Sequence, residues 1–355
     1  MTNSAPAETQ LSLETAFTRD SGAEVPLICG AMYPCSNPEL VAAVSAAGGL
    51  GIVQPMSLIY AHGHEYRAGL RLIRRITDRP IGVNIIVEKL VKAYEDRARQ
   101  WVEVALEEGV RFFVTALGNP RWVVDTVHAA GGRVYHDVTE RKWALKALDA
   151  GVDGLICVNA RAGGHAGRQD PRALLESLGD LGKPLICAGG IGSPAEFVET
   201  LRLGYAGAQL GTRFIATHEC RAHGDYKRAI VEADADDIVL TEKLSGVPVS
   251  IINTPYVQRI GTKAGPLARA MLRGRRTKHW MRALFSVQSI WKLKNANLRG
   301  SAYQEYFQAG KSVDGIHDIE RAGDIVRAFQ AALSAAAASP TTTDTTTEPE
   351  RDMAS

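Results

Sequence analysis

Gly154-Leu155-Ile156-Cys157-Val158-Asn159-Ala160-Arg161-Ala162-Gly163-Gly164-His165-Ala166-Gly167-Arg168 is the stretch from which the fold can be read. It opens with a short apolar run, long enough for a buried strand and too short for a helix. A loop with three glycines around one histidine follows. Glycine admits backbone dihedrals closed to other residues and lets a bound group approach the main chain. A histidine held there can exchange a proton near neutral pH. Taken alone, the loop is equally a glycine-rich turn carrying a solvated histidine. Its neighbours decide between the two.

Outward from this stretch the same unit repeats. Apolar runs recur at Val25–Cys29, Gly51–Val53, Ile81–Ile86, Arg111–Thr115, Arg133–His136, Pro184–Ala188 and Ala206–Leu210. Between them, alanine, leucine and charges fall at helical spacing. Asn37–Ala47 follows Ser36 as N-cap and ends at Gly48-Gly49; Leu90–Glu108 ends at Gly109; Arg121–Ala130 ends at Gly131-Gly132. Thr139–Ala150 ends at Gly151, and Pro194–Leu203 follows Ser193 and ends at Gly204. A cap before and a glycine after is the punctuation of helices. Buried strands alternating with helices mean parallel βαβ units. Eight of them predict an α/β fold, a closed (β/α)8 TIM barrel, with an open doubly wound sheet as the alternative.

In such a barrel, chemistry sits where strands end. The residues there are Gly30-Ala31-Met32, Asn84, Thr115, His136-Asp137, Asn159 to Gly167, Ala188-Gly189-Gly190 and Gln209-Leu210-Gly211-Thr212. They are small, polar or histidine, unlike the strands before them. The loops after the last two strands predict a phosphate site, built from glycine amides, the helix start at Pro194 and the Thr212 hydroxyl. A phosphorylated cofactor across the mouth would have its ring faced by Ala31, Met32, Asn84 and His136. A flavin suits those groups, because its reduced ring needs donors at the N1/O2 edge. A phosphorylated sugar or triose fits the residues as well. No GxGxxG with a downstream acid is present, so no separate dinucleotide domain is expected.

Composition narrows the remainder. The 355 residues are 45% hydrophobic and 23% charged with a formal net charge of +2, ordinary for a soluble globular protein. Nothing in that balance calls for nucleic acid as a partner. Five cysteines without a CxxC pair, three of them in apolar runs, read as buried thiols in a reducing compartment. No zinc-ligand spacing is visible, and the N-terminus lacks the apolar core of a signal peptide. These features predict a cytoplasmic protein. Charge is unevenly placed, however. Between Lys243 and Gln304 there is no acidic residue and there are twelve lysines and arginines, leaving 29 basic against 39 acidic residues elsewhere. Such a segment is either a solvated helical face or a surface that attracts an anionic substrate, a cofactor phosphate or an acidic partner. Trp280, Leu284, Phe285 and Trp291 interleave with its charges, a pattern that gives membrane-surface contact a minor share.

With these residues in hand, the chain resembles the nitronate monooxygenases, formerly 2-nitropropane dioxygenases, which are FMN-dependent TIM barrels related to FabK-type enoyl-acyl-carrier-protein reductases. The resemblance rests on Ile28-Cys29-Gly30-Ala31-Met32, Ala46-Ala47-Gly48-Gly49-Leu50-Gly51, Gly82-Val83-Asn84, Ala162-Gly163-Gly164-His165, Ala188-Gly189-Gly190-Ile191 and Gln209-Leu210-Gly211-Thr212-Arg213-Phe214. It implies FMN held by Gly30, Ala31, Met32, Asn84, His136, Asn159, Gly163, Gly164, Ala188, Gly189, Gly190, Gln209, Gly211 and Thr212, with His165 as catalytic base. It also implies that Gln308-Ala309-Gly310-Lys311-Ser312 reaches back to the site. Two positions depart from the family pattern: Arg161 stands where an acid is common, and His136 ends a strand where lysine is common. An imidazolium at His136 could still stabilise a reduced flavin.

The function expected from the resemblance is oxidation of an anionic alkyl nitronate with O2, giving a carbonyl compound and nitrite. The alternatives are an NAD(P)H-dependent reductase acting on a quinone or an enoyl thioester, in which case an acidic carrier protein becomes a partner, and a non-flavin barrel binding a phosphorylated metabolite. The expected organisation is an N-terminal extension over 1–20, the barrel over 21–238, a basic, mainly helical lid inserted after the eighth strand over 239–318, a returning helix over 319–336 and a disordered tail over 337–355. Oligomeric state is left open.

Overall fold

The eight apolar runs pair in parallel, each with its sequence neighbour, and the last with the first, closing one barrel. In the computed structural model, which describes residues 11–87, 92–243, 248–263, 294, 298 and 306–339, the strands are β1 Leu27–Cys29, β2 Leu50–Val53, β3 Ile81–Ile86, β4 Phe112–Ala116, β5 Arg133–Val138, β6 Gly154–Val158, β7 Leu185–Ala188 and β8 Gly207–Leu210. The helices are α1 Ala16–Ser21, α2 Pro38–Ala46, α3 Tyr66–Ile76, α4 Lys92–Glu107, α5 Arg121–Ala129, α6 Arg141–Asp149, α7 Pro171–Leu178, α8 Pro194–Arg202, α9 Thr212–Ile215 and α10 Gly224–Glu232. Beyond them lie β9 Ile238–Thr241, β10 Val249–Ile252, α11 Pro255–Ile260 and α12 Ala322–Ala338.

Side chains alternate between the barrel interior and the layer beneath the helices, as strand geometry requires. Ile28, Leu50, Ile52, Phe112, Val114, Tyr135, Ile156, Ile186 and Ala188 fill the interior as one cluster. Phe17 of α1 joins them, fully buried, its ring 5.7 Å from that of Phe112 in an edge-on contact. Helix α1 therefore closes the floor of the barrel, although it lies in the stretch expected to be an extension. The outer cluster collects the other strand faces with the helices, including Val134 and Val138 of β5 and Leu155 of β6. A one-residue shift in reading a strand thus moves a side chain from one layer to the other.

Local corrections follow from capping. Helix α2 takes Asn37 as its N-cap residue; the Ser36 hydroxyl instead accepts the Met32 N–H at 2.9 Å and folds the loop after β1. Helix α8 begins at a Ser193 capping box with Glu196, as its sequence suggests. The returning helix, expected over 319–336, runs from Ala322 to Ala338.

The region after the barrel differs most from expectation. Its described part is not mainly helical: β9 and β10 form a two-stranded antiparallel sheet, followed by the short α11. Val249, Ile251, Val257 and Tyr306 make a small apolar cluster of their own, with Tyr33 from the loop after β1 packed against it. Of the twelve basic residues, Lys243, Arg259, Lys263 and Lys294 are described; the others, with Trp280, Leu284, Phe285 and Trp291, lie outside the described residues, as does the tail from Pro340. No helix among the described residues is long and apolar enough to cross a membrane. All five cysteines are free and buried.

Candidate active site

The carboxyl ends of the strands gather the expected loops at one mouth. After β1, Gly30 donates its N–H to the Leu210 carbonyl at 2.9 Å, and a Cβ there would lie 2.9 Å from Cγ of Gln209. Only glycine lets β1 and β8 close this tightly. Gln209 thus packs under the loop, while Met32 lies over Gly211, its sulfur 3.5 Å from where a Cβ would stand. Asn84 is buried and, sharing a face with Gly82 (whose Cβ would meet Ile52 and Phe112), points into the barrel.

Asn159 has a different task from the one expected of it. It is fully buried; its Nδ2 donates to the Gly189 carbonyl at 2.9 Å and its Oδ1 accepts the Arg161 N–H at 2.8 Å. With both ends of the amide engaged, Asn159 clamps the loop after β6 to the loop after β7 and does not present itself to a ligand. Gly189 and Gly190 follow at φ +117° and +81°, conformations that exclude other residues. Ala188 ends β7 beneath them.

The amides of the α8 start are likewise spoken for. Oε2 of Glu196 accepts the N–H groups of Gly192 and Ser193 at 2.8 and 3.0 Å. An anion at this end therefore relies on the glycine loops and on Thr212, not on the first turn of α8. Thr212 Oγ1 accepts the Gly310 N–H at 3.0 Å, which leaves its own proton to donate. Arg161 supplies a cation: its side chain lies against Gly190, and its guanidinium stands 3.8 Å from Glu196.

The Ala-Gly-Gly-His loop is held from two sides. Gly164 forms an antiparallel bridge with Ser250 of β10, the Ser250 N–H donating to the Gly164 carbonyl at 2.7 Å. From the other side the strap Gln308-Ala309-Gly310-Lys311-Ser312 returns as the resemblance implies. Lys311 donates its N–H to the Arg161 carbonyl at 2.8 Å. Gly163 and Gly310 touch backbone to backbone: a Cβ on Gly163 would sit 2.9 Å from the Gly310 nitrogen, and one on Gly310 would sit 2.6 Å from the Gly163 nitrogen. Arg213, buried and paired with Glu320, anchors the chain that follows the strap, and burial pushes its guanidinium down to about 10. His165 is open to solvent, yet the protein around it lowers its pKa below the ordinary 6.5. The ring is therefore neutral at pH 7 and able to accept a proton.

His136 does not face the mouth. It shares a side of β5 with Val134 and Val138, which belong to the outer layer, and pairs in register with Leu155. Its Nδ1 is 2.8 Å from the Thr115 hydroxyl, and burial lowers its pKa from 6.5 to about 4. Neutral and turned outward, it cannot be the imidazolium expected beside a flavin. The mouth-facing residue of that strand is its neighbour Asp137, in register with the interior Ile156.

Taken together, this is a (β/α)8 barrel whose mouth gathers glycine loops, Thr212 and Arg161 together with the inward-facing Asn84 and Asp137 and the imidazole of His165. Such a donor set fits a phosphorylated heteroaromatic cofactor: glycine amides, Thr212 and Arg161 for the phosphate, Asn84 and Asp137 against a floor of Val114 and Ile156 for the ring. The chain belongs to the nitronate monooxygenase family, whose profile matches residues 15–331, and so to a group of oxidoreductases. It is 30% identical over 267 residues to the (3aS,4S,5R,7aS)-5-hydroxy-7a-methyl-1-oxo-octahydro-1H-indene-4-carboxyl-CoA dehydrogenase of Mycobacterium tuberculosis, covering 74% of this chain and 73% of that one. To a nitronate monooxygenase of Pseudomonas aeruginosa it is 29% identical, over 65% of this chain and 77% of the relative. Among solved structures, FabK from Thermotoga maritima superposes with a TM-score of 0.74 at 27% identity, over 92% of this chain and 97% of that one.

Proposed function

We propose that the protein is an FMN-dependent oxidoreductase acting on a coenzyme A thioester, with His165 handling the proton α to the thioester carbonyl. The observation that carries this reading is a neutral, solvent-open imidazole in the loop that packs against Gly189 and Gly190. FMN, when bound, supplies an acceptor or donor of hydride equivalents. Glycine amides after β7 and β8, the Thr212 hydroxyl and Arg161 would hold its phosphate. Asn84 would take a hydrogen bond from or to the ring edge, and Met32 covers Gly211 and keeps water from that side. His165 accepts the α-proton at an imidazole nitrogen, or returns it when the reaction runs toward reduction.

Two features favour the thioester. The M. tuberculosis relative is named for a carboxyl-CoA substrate, and the acid-free run from Lys243 to Gln304 offers twelve basic residues to an anionic carrier. Nitronate oxidation with O2 is the second reading, favoured by the same neutral base, which suits the α-proton of a nitroalkane equally well, and by the P. aeruginosa relative.

Anaerobic mixing of the purified protein separates them. Bleaching of a yellow protein by NADH or NADPH, followed by recolouring with crotonyl-CoA, is the result expected. Bleaching by propyl-2-nitronate with no response to either nicotinamide would refute the thioester reading in favour of the nitronate one. A colourless protein that does not take up added FMN would sink both.

A further inference from the structure

Among the described residues, one buried side-chain polar atom on the barrel strands has no hydrogen-bond partner. Oδ1 of Asp137 is shut off from solvent and has no hydrogen-bond partner. Burial without a partner is costly for a carboxylate, and native structures keep such groups where a ligand or a proton completes them. Asp137 sits at the carboxyl end of β5 on the interior face, beside Ile156 and two residues beyond Tyr135 of the barrel core. It is where a ring lying over the mouth meets this strand. Resting on the flavin reading above, we infer that Asp137, not His136, is the group β5 presents to the pyrimidine edge of FMN, and that it does so as a neutral carboxylic acid donating a hydrogen bond.

The surroundings supply no charge to reverse this. On β5 itself, His136 is neutral and Tyr135 keeps its phenolic proton. On β6, burial pushes the Cys157 thiol up, so it too is uncharged. On β4 the register neighbour of this strand end is Thr115, and on β3 the interior residue is Asn84, neither of which titrates. Glu140, at the start of α6, is paired with Lys142 at 2.9 Å. Against these neighbours burial raises the Asp137 carboxyl from 3.8 to about 7. A lysine at this strand end, which the resemblance leads one to expect, would offer a cation at every physiological pH. Asp137 offers a donor that disappears as pH rises, replaced by a carboxylate facing the electron-rich N1–C2=O edge.

The test is the pH dependence of FMN binding, read by quenching of flavin fluorescence on titration into flavin-free protein, for the wild type and Asp137→Asn. If only the protonated acid binds well, linkage weakens wild-type affinity by roughly 30-fold between pH 6 and 8.5. The carboxamide of Asp137→Asn keeps a donor that does not titrate, so its profile carries only the titration of the FMN phosphate. A wild-type affinity that is flat over this range overturns the inference without recourse to any variant. Parallel profiles for the two proteins also overturn it, while leaving the flavin reading intact. Failure of both to bind FMN at any pH overturns the flavin reading and the inference with it.

Discussion

Substituting Gly310 by alanine tests whether the strap and the base-bearing loop form one unit. The added Cβ would stand 2.6 Å from the Gly163 nitrogen and 2.7 Å from the Arg161 carbonyl oxygen, both main-chain atoms that cannot rotate away. Gly310 does not have a positive φ, so the cost is steric and not torsional. Two routes relieve the clash. The backbones can be compressed, at about 1–3 kcal/mol for an overpacked site. Or the strap can lift, losing the bonds from Gly310 to Thr212 and from Lys311 to Arg161, each worth about 1 kcal/mol net. The cheaper route sets the outcome, so the loss should be about 2 kcal/mol, a fall in Tm of roughly 3 °C for a chain of this size. Gly163→Ala attacks the same contact from the opposite side. Once the strap has lifted for one substitution the second costs little, so the double variant should lose far less than the sum. Thermal unfolding of the four proteins decides it. Fully additive losses, or single variants as stable as the wild type, would refute the claim that these two glycines meet.

Three further outcomes are expected. Gly190→Ala forces a side chain onto a φ of +81° and into Arg161, a strain of about 1–3 kcal/mol, and should weaken FMN retention on gel filtration by at least tenfold. His165→Asn should leave flavin content and Tm unchanged and abolish proton-dependent turnover; because partial desolvation by the protein around this solvent-open ring lowers the wild-type pKa below 6.5, the acid limb of the wild-type pH–rate profile should fall below that pH. The buried His136 costs stability as pH falls. Its folded pKa is about 4 against 6.5 unfolded, so the unfolded chain binds more protons there between those values, a loss of up to roughly 3 kcal/mol; Asp137, raised to about 7, acts in the opposite sense. The urea midpoint of His136→Gln relative to wild type should therefore rise between pH 7 and pH 5, and a difference that does not change with pH would assign the effect elsewhere.

The barrel was legible because its evidence is local. Each strand is a short apolar run closed by glycine or a cap, and eight of them occur in series. Facing is not local. Val134-Tyr135-His136-Asp137-Val138 contains no polar–apolar alternation to say which residue looks inward, and a histidine draws the eye more than an aspartate. The interior position belongs to Asp137 only because Tyr135 and Ile156 fill the core beside it. Asn159 illustrates a second limit: its place at a strand end was readable, but its use as a clamp between loops depends on Gly189 arriving from elsewhere. The β9–β10 sheet is not legible because two four-residue strands, one just before the basic stretch and one within it, carry too little pattern to be distinguished from a helical face. The Gln308–Ser312 return was anticipated by resemblance alone; nothing in those residues declares their partner.

The bridge between Gly164 and Ser250 has a consequence for how such an enzyme can change. Strand β10 touches the base-bearing loop along one edge and, through the Ile251–Gln308 bridge, the strap along the same line. The segment after the barrel is thus not a detachable cassette. An insertion, deletion or graft that alters it to admit a new substrate also moves the backbone that aims His165. On the proposed role of His165, substrate range and proton transfer are inherited together, and attempts to exchange that segment between relatives should carry residues 159–168 and 306–312 along with it.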